Sequence, residues 1–429
     1  MRRFVGFALV AAAFLAVAAH PAFAQTPAPS PSPSALAPGT SIHASNVANY
    51  TQYLPAAAEA AVRHGLTIRV IPTKRLDWST GFTQATEKYS SQVGLDKNDY
   101  ITNYVAGAPF PTVDLTDPKA AVKIAYNWHM GPFMPDDFSL APWGSYAYLD
   151  TSGAIRPQED YSYVCDQFTF LRFAHRTEID PRPTVGSNSE GFEWKARCNE
   201  WTATPMGDAG EGSGIWIRYL DPGRGDEFYG FNMETRRVRR SASDVPVQEG
   251  CRSCHQPYWA YALPNTEAYS YRLLGTASLL TCLTANNEPA GLQAGERALA
   301  MGEEPFELRN AYIIEMRPKA RGDLRTLVFI DTEAYVWIAA EFFEGNERTA
   351  AAIPLWRSRP APAGGNLFDL AGEFYIPYRQ PAMAAAEGHP TPNAPWFFRT
   401  LMPAHGDFTQ KIDTGDVSEA MFNPQSLSR

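Results

Sequence analysis

The 429 residues include 45% apolar and 19% charged side chains, enough to bury a sizeable core and to exclude a chain that is disordered throughout. A formal net charge of −9 argues against nucleic acid as a partner, because that demands a basic surface. Length alone allows one large or two ordinary domains.

Residues 1–24 read as a secretory signal peptide. Arg2 and Arg3 precede an uncharged apolar run over 4–19, and Ala22-Phe23-Ala24 stands before Gln25 as a cleavage site. Cleavage there takes the net charge to −11, since residues 1–24 hold no acid. No Cys follows the site, so a lipid anchor is not indicated, and no other apolar run approaches membrane-spanning length. The expected setting is the oxidising periplasm. Residues 25–40, rich in Pro, Ala and Ser, read as a semi-extended tether. The folded domain is expected over 41–429, with an irregular insertion at 244–264.

Within it, residues 46–64 look helical, with Ser45 as N-cap and Pro55 opening a second segment. A strand is expected over 66–71 and a polar, irregular stretch over 77–98. Residues 104–111 form a loop punctuated by Gly and Pro. Asp117-Pro118 supplies an N-cap and a Pro at the first helical position, opening a helix through 128. Ala121, Ile124, Ala125 and Trp128 fall on one side of that helix, so it should pack on a sheet. From 161 onward the texture becomes strand-like. Segments 161–177 and 192–202 flank a Pro/Gly loop, and 215–220, 227–231 and 236–240 fold back on one another as a meander around Asp221–Gly225. Strand spacing in the last segment puts Arg236 and Arg240 on one face and Arg237 and Arg239 on the other, as suits a solvated, ion-paired edge. Segments 269–274, 311–316, 325–331, 335–344 and 349–356 continue as strands, the last four as a second meander, with 360–429 outside it. The sum is an α+β chain, mostly antiparallel β: a curved sheet or open barrel wrapped around helices.

Cys251-Arg252-Ser253-Cys254-His255 has the C-x-x-C-H spacing of c-type haem attachment, in which both thiols bond the vinyl groups and the His binds iron. Met233, His389 and His405 are candidate distal ligands. Pro257 follows where a haem-bearing helix would continue. A structural disulfide, unpaired thiols, thiol redox chemistry and a metal site are the other readings of the same residues. Cys165 and Cys198 sit in strands flanking one loop and are disulfide candidates, subject to the Cα distance limit. Of five cysteines, one is left over however they pair. No nucleophile elbow, H-E-x-x-H, phosphate loop or dinucleotide fingerprint is present, so no catalytic residue and no metal ligand is assigned. His129 and His175 have no spaced partner and read as satisfied surface or core histidines.

Aromatic residues make up 13% of the chain, many of them on the expected strands. They can form an ordinary core. They can also line a concave face that its own side chains do not fill and that accepts an apolar ligand. Trp194, Trp216, Tyr219, Phe228, Phe231 and Trp337 are the candidate lining residues for that reading.

Several motifs taken in order resemble a periplasmic family, domain of unknown function 1329. They are Asn103-Tyr104-Val105-Ala106-Gly107 with Pro109-Phe110-Pro111, Asp117-Pro118, Tyr219-Leu220-Asp221-Pro222, and Arg236-Arg237-Val238-Arg239-Arg240. Val328-Phe329-Ile330-Asp331 and Phe422-Asn423-Pro424-Gln425-Ser426-Leu427 complete the set. That family is similar to the outer-membrane lipoprotein-localisation carriers (LolA/LolB-like). The resemblance implies an incomplete antiparallel barrel around helices with an apolar cavity, and a periplasmic carrier of hydrophobic, lipid-like molecules without known chemistry. It further implies work alongside an RND-type inner-membrane exporter and an outer-membrane partner. The segment after Arg240 departs from the family pattern: residues 251–255 replace its usual acidic, Gly-containing loop. A c-type haem electron-transfer protein is the alternative function.

Overall fold

The computed structural model describes residues 36–131, 135–141, 145–149, 155–156, 162–165, 167–204, 211–221, 224–232, 235–243, 266–285, 303–320, 322–361, 364–378, 396–399 and 409–428. Strands β1 (Ser41–Ile42) and β2 (Thr67–Val70) flank helix α1 (Ala56–Arg63). Helix α2 (Thr80–Tyr89), the hairpin β3 (Gly94–Leu95) and β4 (Ile101–Thr102), and helix α3 (Ala120–His129) follow. Next come β5 (Asp137–Ala141), β6 (Ser145–Leu149), β7 (Ile155–Arg156), β8 (Ser162–Cys165) and β9 (Phe168–Arg172). One meander is β10 (Phe192–Thr204), β11 (Glu211–Tyr219), β12 (Asp226–Asn232) and β13 (Arg237–Ser243). The other is β14 (Tyr269–Thr281), β15 (Glu303–Pro318), β16 (Leu324–Asp331), β17 (Trp337–Glu344), β18 (Glu347–Pro360) and β19 (Asn366–Pro377). Strands β20 (Trp396–Arg399) and β21 (Thr409–Ile412) come last.

Eleven strands join in the order β1-β2-β15-β16-β17-β18-β19-β20-β6-β7, with β14 on β15; eight join as β13-β12-β11-β10-β9-β5-β21, with β8 on β10. Pairing between the described strands of both sheets is antiparallel except for β2 with β15. The architecture is a curled, open half-barrel of mostly antiparallel strands with few helices, as the strand pattern and the family resemblance lead one to expect. Strand β19 pairs with β18 along Ala350–Pro360, so the second meander runs past residue 360, where the sequence suggests it stops. Both flanks of β18 are buried, Ala351, Ile353 and Leu355 beneath α1 and Ala352 and Trp356 on the other side. A strand buried on both faces is an unbroken apolar run, which is how Ala350 to Trp356 reads.

Helix α3 sits inside the curl. Every residue in it except Lys123 is buried, the mark of a helix surrounded on all sides rather than lying on a surface. Ala121, Ile124, Ala125 and Trp128 pack with the eleven-stranded sheet. Val122 and Tyr126 pack on Phe110 and the β3–β4 hairpin. The Asn127 side chain fastens Phe110, accepting its N–H at 2.8 Å and donating to its carbonyl at 2.6 Å. At the C-terminal end His129 reaches β10 of the other sheet, 3.5 Å from Glu193. One helix thus touches both sheets.

Two readings of the sequence change. Residues 77–98 contain α2, capped by the Ser79 hydroxyl, which accepts the Phe82 N–H at 3.1 Å. The region 46–64 is two short 3₁₀ turns at Val47–Asn49 and Thr51–Tyr53 before α1. Among the described residues no helix is long and apolar enough to cross a membrane. The signal peptide over 1–24, most of the tether over 25–40 and the insertion at 244–264 lie outside the described residues.

Candidate functional site

Strand alternation gives the eight-stranded sheet two unlike faces. On one, Leu171, Phe173, Ile215, Ile217 and Tyr219 are closed over by Val417, Phe422 and Leu427. Arg197 bonds the Met421 carbonyl at 2.6 Å and the Ser426 hydroxyl at 2.7 Å, clamping that cover in place. This face is sealed.

The other face carries a row of aromatic rings. The register lines up Phe138 with Phe170, Phe170 with Ala196, Ala196 with Trp216, and Trp216 with Phe228. Phe168 and Trp194 flank the row. Ring centroids lie 5.1 Å apart for Phe138 and Phe170, 5.6 Å for Phe138 and Phe168, 5.8 Å for Phe170 and Trp194, and 5.0 Å for Trp216 and Phe228. Such spacings are those of favourable aromatic pairs. Phe170 is 2% exposed, whereas Phe138, Phe168, Trp194, Trp216 and Phe228 are only half-buried. The Phe228 ring lies over Gly230, where an added Cβ would come 2.8 Å from it. The gap at glycine is what lets the ring lie flat along the sheet.

At one end the row turns polar. Arg172, Trp194 and Arg218 share a register position. The Arg218 guanidinium sits 4.9 Å over the Trp194 ring and donates to Asp226 at 2.7 Å. The β10 bulge at Glu193 aims that carboxylate at His129. Burial opposes the Glu193 charge, but the contact with His129 and the positive charge of Arg218 hold its pKa at about 2. Burial also pushes His129 and His175 below the usual histidine range, against the opposing pull of Glu193. His175 packs against Tyr104 with ring centroids 4.6 Å apart and the planes tilted by 43°, and its Nδ1 donates to the Val105 carbonyl at 2.7 Å. His129 Nδ1 and Glu193 Oε2 are buried without hydrogen-bond partners.

Of the aromatics singled out in the sequence, Trp194, Trp216 and Phe228 come together on this face. Tyr219 and Phe231 lie on the sealed one. Trp337, 1% exposed, belongs to the core of the other sheet around α3. His175 is half-buried with Nδ1 bonded to Val105, and His129 is buried with one nitrogen unmet. Glu193 and Arg172 drew no notice in the sequence. The two-residue spacing of Phe168, Phe170 and Arg172 is the signal that places the arginine beside the aromatics.

Cys251, Cys254 and His255, with Met233, His389 and His405, lie outside the described residues. Cys165 pairs with Trp201 and Cys198 with Phe168 in register, so the two cysteines occupy neighbouring strands; Cys282 is buried. No group of His, Cys, Asp or Glu able to hold a metal ion occurs among the described residues. A cleft of about 450 Å³ lies beside the β3–β4 hairpin. Its Lys119 and Lys123 are engaged by Asp99 and Asp117, which leaves little charge for a ligand.

A family model described as protein of unknown function (DUF1329) matches residues 41–348. Similar solved structures include a domain assigned to outer-membrane lipoprotein sorting from Vibrio parahaemolyticus, at 12% identity and TM-score 0.41, covering 73% of this chain and 100% of that one. A LolA superfamily protein from Nitrosomonas europaea is similar at 9% identity and TM-score 0.35, covering 72% and 99%. Among curated proteins none matches.

Proposed function

The chain belongs to the DUF1329 family, and from its half-open aromatic face we propose that it carries a hydrophobic, lipid-like molecule without bonding it covalently. One observation carries this reading. Residues 417–427 pack over one face of the sheet, where Phe192, Tyr229 and Phe231 stay half-buried, while on the other face Phe138, Phe168, Trp194, Trp216 and Phe228 form a continuous half-buried row. A contiguous row of half-buried rings on a folded chain is a candidate binding surface. A ligand laid along them is removed from water at about 25 cal/mol per Å² of apolar area, and release then needs a change of partner or shape.

The periplasm is the proposed setting, supported by the basic, apolar and A-x-A order of residues 1–24. An RND-type exporter and an outer-membrane protein as partners rest on the family resemblance alone. Full-length protein, expressed with its own leader and recovered from the periplasm, should yield a co-purifying apolar molecule on solvent extraction and native mass spectrometry. Trp216→Ala should weaken binding of an environment-sensitive lipophilic dye about tenfold, the loss of one large aromatic contact, at an unchanged melting temperature. Dye affinity that ignores Trp216, with no extractable molecule, would sink the carrier reading.

A further inference from the structure

The polar end of the aromatic row leaves three groups without partners. Arg172 lies on the same face as Phe168 and Phe170, and its side chain makes no ion pair or hydrogen bond among the described residues. Register sets it opposite Trp194, the residue that follows Glu193, and its charge bears on Tyr104, His129 and His175. Burial disfavours the charged form of His129, which faces the Glu193 carboxylate through Nε2 at 3.5 Å. The ring proton therefore sits on Nε2, and Nδ1 is left as a buried acceptor. Glu193 Oε2 is a second buried acceptor with nothing to accept. Glu193 is 5% exposed and His129 8%. An unmet buried polar atom is costly, and native structures leave few of them unexplained.

Two buried acceptors and one guanidinium without a partner among the described residues therefore lie at the polar end of the row. The fixed charges around them balance, Arg172 and Arg218 against Glu193 and Asp226. An anionic head group there would meet the Glu193 carboxylate, and a cationic one would meet Arg172. A hydroxyl meets both needs, donating to His129 Nδ1 or Glu193 Oε2 while accepting from the Arg172 guanidinium. We infer that the molecule carried is a neutral amphiphile with a hydroxyl-bearing head, seated with that head at Arg172, His129 and Glu193 and its apolar body along Trp194, Phe170, Trp216 and Phe228. This deepens the carrier reading and rests on it.

The test is displacement of a bound lipophilic dye from the full-length protein by four molecules sharing one chain length: monolauroylglycerol, methyl laurate, laurate and dodecylammonium. Monolauroylglycerol should compete at concentrations about tenfold below methyl laurate, one well-placed hydrogen bond's worth, and below both charged species. Glu193→Gln should bring monolauroylglycerol toward the methyl ester and leave the ester where it was, while Arg172→Met, at the more exposed position, should weaken monolauroylglycerol and, through its carbonyl acceptor, the ester as well. Equal competition by the ester, or tighter binding of laurate or dodecylammonium, overturns the head-group assignment and leaves the carrier standing. A protein that binds neither the dye nor any of the four removes the carrier and this inference together.

Discussion

Asp413 shows how much a single carboxyl can decide. Its Oδ1 accepts the backbone N–H groups of Asp136 at 2.7 Å and Asp137 at 3.2 Å, while Oδ2 is buried and unmet. Asp136 in turn takes the N–H groups of Thr177, Glu178 and Ile179, so the acids knot three segments distant in sequence. Burial, then the negative charge of Asp136, push Asp413 from 3.8 up to about 8 against the pull of its two N–H donors. The native state then holds a proton that the unfolded chain releases, so this group's contribution to stability falls as pH rises from 3.8 to about 8 and is gone above that. Asp413→Asn cannot titrate. Between about pH 6 and pH 9 the wild type should therefore lose roughly 2–3 kcal/mol relative to D413N, read from urea midpoints at each pH. Parallel pH curves for the two proteins would show that Asp413 is ionised throughout. None of this was legible beforehand. An acid is recognised as buried only once the strands that bury it are placed, and Asp413 lies 277 residues from Asp136.

At the scale of elements the sequence was legible where burial follows a period and illegible where it does not. The β10–β13 meander reads directly from the alternation of Ile215, Ile217 and Tyr219 with Trp216 and Arg218. Its edge strand behaves as the arginine cluster suggests, exposed along Arg236 to Arg240 and paired through Arg240 to Glu227 at 2.5 Å. Helix α2 was missed because its buried face is Gly81, Phe82 and Thr86, two small or polar residues and a single ring, which leave no apolar stripe to find. Its packing depends on closeness. A Cβ on Gly81 would stand 2.1 Å from the Thr177 carbonyl, and one on Gly107, at φ +84°, would stand 2.4 Å from the Thr86 nitrogen. Nearby, the Ala108 N–H donates to Thr86 Oγ1 at 2.8 Å. Gly107→Ala should therefore cost about 2–4 kcal/mol, from both the left-handed backbone and the clash with main chain, seen as a lower urea midpoint at constant slope. A change within error would mean that the loop yields freely.

For the whole molecule, the curl around α3 agrees with the strand count and the resemblance, but the division of strands between two sheets had no signal in the sequence. Nor did the role of residues 413–428. The family-like run from Phe422 to Leu427 was visible as a motif, yet its partners in β9, β11 and β12 lie some two hundred residues earlier, as the 229-residue separation of Arg197 and Ser426 shows. Phe422, 2% exposed within that cluster, closes the sheet from the side away from the aromatic row. Phe422→Ala should cost about 3 kcal/mol by the cavity it leaves, and should reduce dye binding only in proportion to the unfolded fraction. A larger loss of binding than of folded protein would mean that the two faces communicate.

That closure has a bearing on how the chain matures. Residues 409–428 leave the ribosome after every strand they cover, so the sheet spends its early life greasy on both sides. Contacts spanning two hundred residues are slow to form, and a half-finished sheet with two bare apolar faces is a ready substrate for clumping.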